Sequence, residues 1–175
     1  MKRITARYVN SQKHWLTRLL AKRQLRAIGE YIFGNDVLDI GCGCGAVEAV
    51  YGKYAHNFTS CDIEDNNIYG LSVNVCAATA LPYENGQFDT VLMVGVLEHI
   101  DRAADAIQEV KRVLRPRGQF IVVIPRGILW PLAWLFRPTD SVRLHAAFKM
   151  PTTGLQLAEK KWIIPGLFQL RVYER

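Results

Sequence analysis

The sequence predicts an α/β fold: a single domain built on a doubly wound, mostly parallel sheet with a C-terminal antiparallel strand pair. A short apolar run at 37–40 leads directly into a glycine-rich turn, as a strand before a ligand-binding turn does. The stretch 88–94 is almost continuously apolar, which is typical of a strand buried on both faces of a parallel sheet. Apolar and polar residues alternate along 168–173 after Pro165 and Gly166, which favours an antiparallel hairpin at the sheet edge.

The remaining elements follow from hydrophobic periodicity and from helix capping signals. Apolar spacing predicts a helix over 12–33, and a second helix follows the glycine-rich turn over 44–54. Asp101 suits the N-cap of a third helix, whose apolar residues recur every three to four positions. The connection after Asp62 is too short for the usual crossover helix, so we expect a loop there. The other predicted strands are 36–40, 58–62, 71–75 and 119–124.

Length and composition are those of one globular domain, with 175 residues of which 50% are hydrophobic. No apolar run reaches the length of a membrane span and no secretory signal is visible, so we expect a cytoplasmic protein with reduced cysteines. The net charge of +6 is unevenly placed, because eight Lys and Arg residues precede the first acidic residue, Glu30. Such a basic helix can contact RNA or an anionic membrane peripherally, although a solvated helix face is the simpler interpretation.

Three alternating glycines, Gly41, Gly43 and Gly45, predict a nucleotide-like ligand at the carboxyl end of the first strand. Asp39 distinguishes between two ligand classes. A pyrophosphate over this turn, as in a nicotinamide dinucleotide site, would be repelled by a carboxylate two residues before Gly41. S-adenosylmethionine has no phosphate and carries an ammonium and a sulfonium group, which a carboxylate favours. Asp62 ends the second strand about twenty residues further on, where a carboxylate can accept both ribose hydroxyls.

Three further motifs follow the glycine-rich turn in a fixed order. They are Ala80-Leu81-Pro82-Tyr83-Glu84-Asn85-Gly86-Gln87-Phe88-Asp89, Val96-Leu97-Glu98-His99-Ile100 and Leu114-Arg115-Pro116-Arg117-Gly118. Together with the turn, this series resembles the class I (Rossmann-like) S-adenosylmethionine-dependent methyltransferases of the type 11 subgroup. The resemblance extends over about 37–125, roughly half of the chain.

The resemblance implies a cofactor site for S-adenosylmethionine. Its implied members are Asp39, Gly41, Cys42, Gly43, Gly45, Asp62, Ile63, Ala77, Ala78 and Val94. One departure from the family pattern lies at Ala77, where family members usually carry an acid that approaches the adenine amino group. Adenine recognition would then depend on backbone groups around Ala77 and Ala78.

Methyl transfer needs a substrate nucleophile held close to the electrophilic methyl group in a dry site, and a general base is not obligatory. His99 is the candidate base, because it follows the fourth strand and its ordinary pKa lies near neutrality. The alternative is that His99 packs or hydrogen-bonds locally. We expect no metal site, since Cys42, Cys44, Cys61 and Cys76 lack the spacing of zinc ligands.

The predicted domain, 1–175, has four parts: a basic N-terminal helix at 1–34, a cofactor-binding core at 35–125, a lid or substrate segment at 126–150 and an edge hairpin at 151–175. The segment 126–150 mixes aromatic, apolar and basic residues, which suits an amphiphilic anionic small molecule or a lipid as methyl acceptor. Two other functions stay open at this point. They are a non-catalytic binding protein of methyltransferase fold and an NAD-dependent oxidoreductase.

Overall fold

The structure is a computed structural model, and it describes residues 15–125 and 154–175, with side chains from residue 19 onward. Seven strands form one sheet in the order β3-β2-β1-β4-β5-β7-β6. The first five strands in this order are parallel, whereas β7 runs antiparallel to both β5 and β6. The predicted α/β fold with a C-terminal antiparallel pair is therefore confirmed. The strands are β1 Asp36–Ile40, β2 Asn57–Asp62, β3 Val73–Val75, β4 Phe88–Val94, β5 Leu114–Pro125, β6 Gln156–Ile164 and β7 Phe168–Glu174.

Three α-helices lie in the described part of the chain. They are α1 Trp15–Gly29, α2 Ala46–Tyr51 and α3 Ala103–Val113, with short 3-10 helices at Gly52–Tyr54 and Leu97–His99. The connection from β2 to β3 contains no helix, as its length predicts. None of the described helices is long and apolar enough to cross a membrane. The predicted lid or substrate segment, 126–150, lies outside the described residues.

Two predicted helix boundaries are wrong. The predicted helix 12–33 extends too far, because α1 ends at Gly29. A Cβ atom at Gly29 would lie 2.3 Å from the hydroxyl oxygen of Tyr51, which donates a hydrogen bond to the Leu25 carbonyl. Asp101 is not the N-cap of α3, since the helix begins at Ala103 and its cap residue Arg102 makes no side-chain cap bond.

Apolar side chains cover both faces of the sheet, because its parallel strands are sandwiched between helices. On one face, α3 packs its buried stripe, which includes Ala106, Ile107 and Val110, against the sheet. On the other face, Ala27 and Ile28 of α1 pack against the sheet together with α2. The larger buried residues of these two cores include Leu38, Ile40, Phe88, Leu92, Met93, Leu114, Phe120, Ile121 and Leu170.

Strand β1 lies inside the sheet between β2 and β4. Its last residue, Ile40, is paired with Cys61 of β2 and with Met93 of β4. The carboxyl ends of the three strands therefore meet at one edge of the sheet. This edge brings the chain after Ile40, Asp62 and Val94 close together.

Candidate functional site

The glycine-rich turn after β1 is tightly packed at Gly41 and faces open space at Gly43. A Cβ atom on Gly41 would lie 2.4 Å from a methyl group of Val96, so no larger residue fits there. Gly43 has φ 54°, and a Cβ atom built on it would meet nothing within 4 Å. The turn thus presents bare backbone to empty space at Gly43, where a ligand can approach closely.

Backbone hydrogen bonds join this turn to the end of β2. The N–H groups of Gly41 and Cys42 both donate to the Cys61 carbonyl, at 2.7 and 3.1 Å. The Gly43 N–H donates to Oδ2 of Asp62 at 2.8 Å. Three successive amides of the turn are therefore used within the protein.

Asp62 lies beside the turn, as the sequence predicts. Its second oxygen, Oδ1, accepts a hydrogen bond from the Ile63 N–H at 2.7 Å. The side chain of Ile63 is 60% exposed. The end of β2 therefore offers an oriented carboxylate followed by an exposed apolar side chain.

Asp39 is the buried charge of the site, with 1% of its surface exposed. Its Oδ2 atom has no hydrogen-bond partner among the described residues. Burial, and then the nearby carboxylates of Asp62 and Glu48, raise the pKa of Asp39 to about 7. A cation bound beside this carboxylate would offset both burial and repulsion.

Glu48 is a member of this acidic group that sequence reasoning missed. It lies in the first turn of α2 and accepts a short hydrogen bond, 2.5 Å, from the hydroxyl of Ser60. Its position three residues after Gly45 was the available signal, because the first turn of that helix must face the same edge of the sheet.

The chain after β3 returns to Asp62. The Cys76 N–H donates to the Asp62 carbonyl at 2.8 Å, and the Ala80 N–H donates to the Ala77 carbonyl at 3.0 Å. Ala77 is exposed and Ala78 is half-buried, so this tight turn borders the site. Val94 is half-buried at the end of β4, on the strand that neighbours β1.

The loop between β2 and β3 closes over the start of α2. The side chain of Asn67 both donates to the Leu71 carbonyl and accepts from the Leu71 N–H, which folds the loop onto itself. The Ile68 N–H donates to the Cys44 carbonyl, and a Cβ atom on Gly45 would lie 2.9 Å from the Leu71 side chain. Sequence reasoning predicted this loop but not its contact with the glycine-rich turn.

The two predicted site residues Cys42 and His99 differ in their exposure to solvent. Cys42 is buried, and burial together with Asp39 raises the pKa of its thiol to about 12, so the thiol is neutral and unreactive. His99 is exposed in the 3-10 helix after β4, and its backbone N–H donates to the Val96 carbonyl. Within the described ranges, no group of three or more His, Cys, Asp or Glu residues is arranged to hold a metal ion.

The chain thus has an α/β fold whose glycine-rich turn lies beside the carboxylates of Asp39 and Asp62. Solved structures with this fold include a protein of Pyrococcus horikoshii OT3, with a TM-score of 0.72, 18% identity and coverage of 93% of this chain and 92% of that one. A SAM-dependent methyltransferase of Thermotoga maritima has a TM-score of 0.71 at 18% identity, with 99% of both chains covered. At these identities the likeness concerns the fold.

Residues 38–122 match the family model described as a methyltransferase domain. The chain is 34% identical over 99 residues to the protein named "Probable tRNA methyltransferase 9B" of Mus musculus, covering 52% of this chain and 22% of that protein. It is 29% identical over 110 residues to the "Ubiquinone biosynthesis O-methyltransferase" of Shewanella pealeana, covering 55% of this chain and 47% of that protein. The chain thus spans less than half the length of these two relatives.

The match to the methyltransferase domain model confirms the resemblance seen in the four motifs. The family implies S-adenosylmethionine as the cofactor. The residues present fit this cofactor. Asp39 is a buried carboxylate without a hydrogen-bond partner for Oδ2 among the described residues, and Gly43 leaves empty space beside Asp62.

Proposed function

We propose that this chain is an S-adenosylmethionine-dependent methyltransferase. The observation that carries the proposal is the buried, partnerless Oδ2 of Asp39 behind a turn whose outer side is open at Gly43. A positively charged ligand lowers the free energy of such a carboxylate, and the ammonium and sulfonium groups supply that charge. When bound, the cofactor supplies a methyl group that is electrophilic because it is attached to a positively charged sulfur.

The chain's own residues bind and orient this cofactor. Asp62 would accept hydrogen bonds from the ribose hydroxyls, and its bonds from the Gly43 and Ile63 N–H groups hold its carboxylate in one orientation. Ile63 would offer an exposed apolar surface to the adenine, and the backbone at Ala77 and Ala78, which follows the bond from Cys76 to the Asp62 carbonyl, would read the adenine edge. Proximity and orientation supply the rate, with His99 as a candidate base at the same edge of the sheet.

The same turn argues against a nicotinamide dinucleotide. In dinucleotide sites, free N–H groups of the glycine-rich turn face the pyrophosphate. Here the N–H groups of Gly41 and Cys42 donate to a carbonyl, and that of Gly43 donates to Asp62. The carboxylate of Asp39 would add repulsion between like charges.

Calorimetry with S-adenosylhomocysteine and NAD tests the cofactor assignment. We expect S-adenosylhomocysteine to bind and NAD not to bind. Asp62→Ala should weaken binding by about 1–3 kcal/mol, because charge-assisted hydrogen bonds to the ribose are lost. Asp105→Ala, which removes an exposed acid from α3, is the matched control and should bind like the wild type. Unchanged affinity in a folded Asp62→Ala protein would exclude that role.

For the methyl acceptor we propose an amphiphilic anionic small molecule or a lipid. The mixture of aromatic and basic side chains in 126–150 supports this class, although that segment lies outside the described residues. The exposed basic residues Lys22, Arg23 and Arg26 of α1 add positive charge. The names of the two relatives indicate two acceptor classes, since one is a ubiquinone biosynthesis O-methyltransferase and the other a probable tRNA methyltransferase.

An acceptor screen with radiolabelled S-adenosylmethionine separates these classes. We expect transfer to lipids or aromatic acids, and robust transfer to RNA alone would contradict the proposal. Trp134→Ala should slow methyl transfer and leave the affinity for S-adenosylhomocysteine nearly unchanged, if Trp134 contacts the acceptor. Cofactor binding without transfer to any acceptor class would favour the non-catalytic alternative, for which the loss of the family's acid at Ala77 is the supporting observation.

A further inference from the structure

Arg112, on α3, uses its whole guanidinium group to hold one segment of the chain. Nε and Nη2 donate to the two carboxylate oxygens of Glu109, both at 2.8 Å. Nη2 also donates to the Leu81 carbonyl at 3.0 Å. Nη1 donates to the Tyr83 carbonyl at 2.7 Å and to the side-chain oxygen of Asn85 at 3.0 Å. All five guanidinium N–H groups therefore have an acceptor.

Glu109 completes this clamp from the other side. Its Oε2 atom accepts a hydrogen bond from the Leu81 N–H at 2.9 Å, in addition to the one from Arg112. The backbone of Leu81 is thus held at both its N–H and its carbonyl group. The Arg112 and Glu109 side chains are 31% and 21% exposed, so solvent competes only in part for these bonds.

The clamped segment is the one that borders the cofactor site. It starts where Cys76 donates to the carbonyl of Asp62, and it passes through the tight turn from Ala77 to Ala80. Leu81 follows this turn directly. One end of the turn is thus fixed by Asp62, and the other end is fixed by the clamp on α3.

We infer that Arg112 and Glu109 are positioning residues for adenine recognition, an inference that rests on the proposed function. Ala77 has no side chain that reaches a base, so the adenine edge must be read by backbone groups. Backbone groups discriminate between bases only when they are held to within about half an ångström. The clamp supplies this restraint, because it ties the segment to α3, which packs a buried stripe against the sheet.

A purely stabilising role would have a different consequence. An i,i+3 ion pair on a helix is commonly worth little and has no effect on a binding site. Such a pair joins Asp105 of α3 to Arg102, the residue that precedes the helix, and the arginine side chain is 78% exposed. Arg102 therefore provides a control in which an arginine of an ion pair is removed away from the clamp.

The test compares the affinities of S-adenosylhomocysteine and S-inosylhomocysteine, which has a carbonyl oxygen in place of the adenine amino group. The proteins are the wild type, Arg112→Ala, the milder Glu109→Gln, and the control Arg102→Ala. We expect Arg112→Ala to weaken the binding of S-adenosylhomocysteine by about tenfold or more. The substitution should also reduce the preference for this ligand over its inosyl analogue. Glu109→Gln should do the same to a smaller extent, and Arg102→Ala should change neither value.

Amide hydrogen exchange rates of the unliganded proteins provide a second test. Amides of 78–83 should exchange faster in Arg112→Ala and Glu109→Gln than in the wild type. If the wild type binds the adenosyl ligand and both variants keep its affinity and base preference, the inference is overturned while the proposed function stands. If the folded wild type binds neither ligand, both fail.

Discussion

Asp39 is ionisable and yet almost completely withdrawn from water, between two other carboxylates. Its folded pKa of about 7 exceeds the value of about 4 expected for an unfolded chain. The folded state therefore binds a proton more tightly than the unfolded state does. Stability from this group is fully present below about pH 4 and is lost as the pH rises toward 7.

This linkage predicts how Asp39→Asn changes the free energy of unfolding. The side chain at position 39 of this variant is neutral at every pH. The free energy of unfolding of the variant, relative to that of the wild type, should therefore increase from pH 4 to pH 7 and level off above. Urea denaturation of both proteins across this range measures the difference.

Asp36→Asn is a control in which the stability difference from the wild type should change with pH in the opposite direction. The hydrogen bond from Asn57 and then the one from Arg115 lower the pKa of Asp36, so its contribution is present at neutral pH and lost on acidification. A constant difference between wild type and Asp39→Asn at all pH values would mean that the pKa of Asp39 is the same in the folded and unfolded states, which would contradict this prediction.

The junction between α3 and β5 contains a backbone conformation that its residue does not favour. The helix ends at Val113, β5 begins at Leu114, and Arg117 has φ 66°. The Arg117 N–H donates to the Arg175 carbonyl at 3.1 Å, which ties the junction to the C-terminal strand.

Arg117→Gly should therefore stabilise the protein by about 0.5–1 kcal/mol. The free energy gained by relieving the left-handed conformation exceeds the entropic cost of ordering a more flexible glycine on folding. The backbone hydrogen bond to Arg175 is kept. Urea denaturation measures the gain. Arg117→Ala separates strain from side-chain effects, because alanine retains the strain and should give no comparable increase. Equal gains in both variants would indicate that the arginine side chain is responsible.

The sheet joins the described segments into one structural unit, since its central strands β1, β4 and β5 are largely buried and its strand order places segments distant in sequence side by side. Leu114 is fully buried at the start of β5 and is paired with Phe88 at the start of β4. This pair lies at the sheet edge opposite the glycine-rich turn.

Leu114→Ala should lower the free energy of unfolding by about 2–5 kcal/mol, because a cavity opens in the core. A single cooperative transition is expected by circular dichroism and fluorescence alike. Well below the transition, the affinity for S-adenosylhomocysteine should equal that of the wild type. Two separate transitions would show that the two sides of the sheet unfold independently.

The local sequence pattern was sufficient to predict several secondary-structure elements. The predicted strands 36–40 and 88–94 agree with β1 and β4, because each contains a run of apolar residues of the kind that a parallel sheet buries on both faces. The loop in place of a helix after Asp62 followed from length alone. The predicted end of α1 was wrong because the helix ends at Gly29, whereas the prediction took Gly34 and Asn35 as its stop signal.

The sequence by itself determined the order of strands and helices, the glycine-rich turn and the two acids at strand ends, since each depends on neighbouring residues. Only the tertiary structure decided that Asp39 is buried next to Glu48, and that Arg112 holds the segment after Ala77. These contacts join residues that are far apart along the chain. Their geometry depends on how the helices pack against the sheet, which no local pattern encodes.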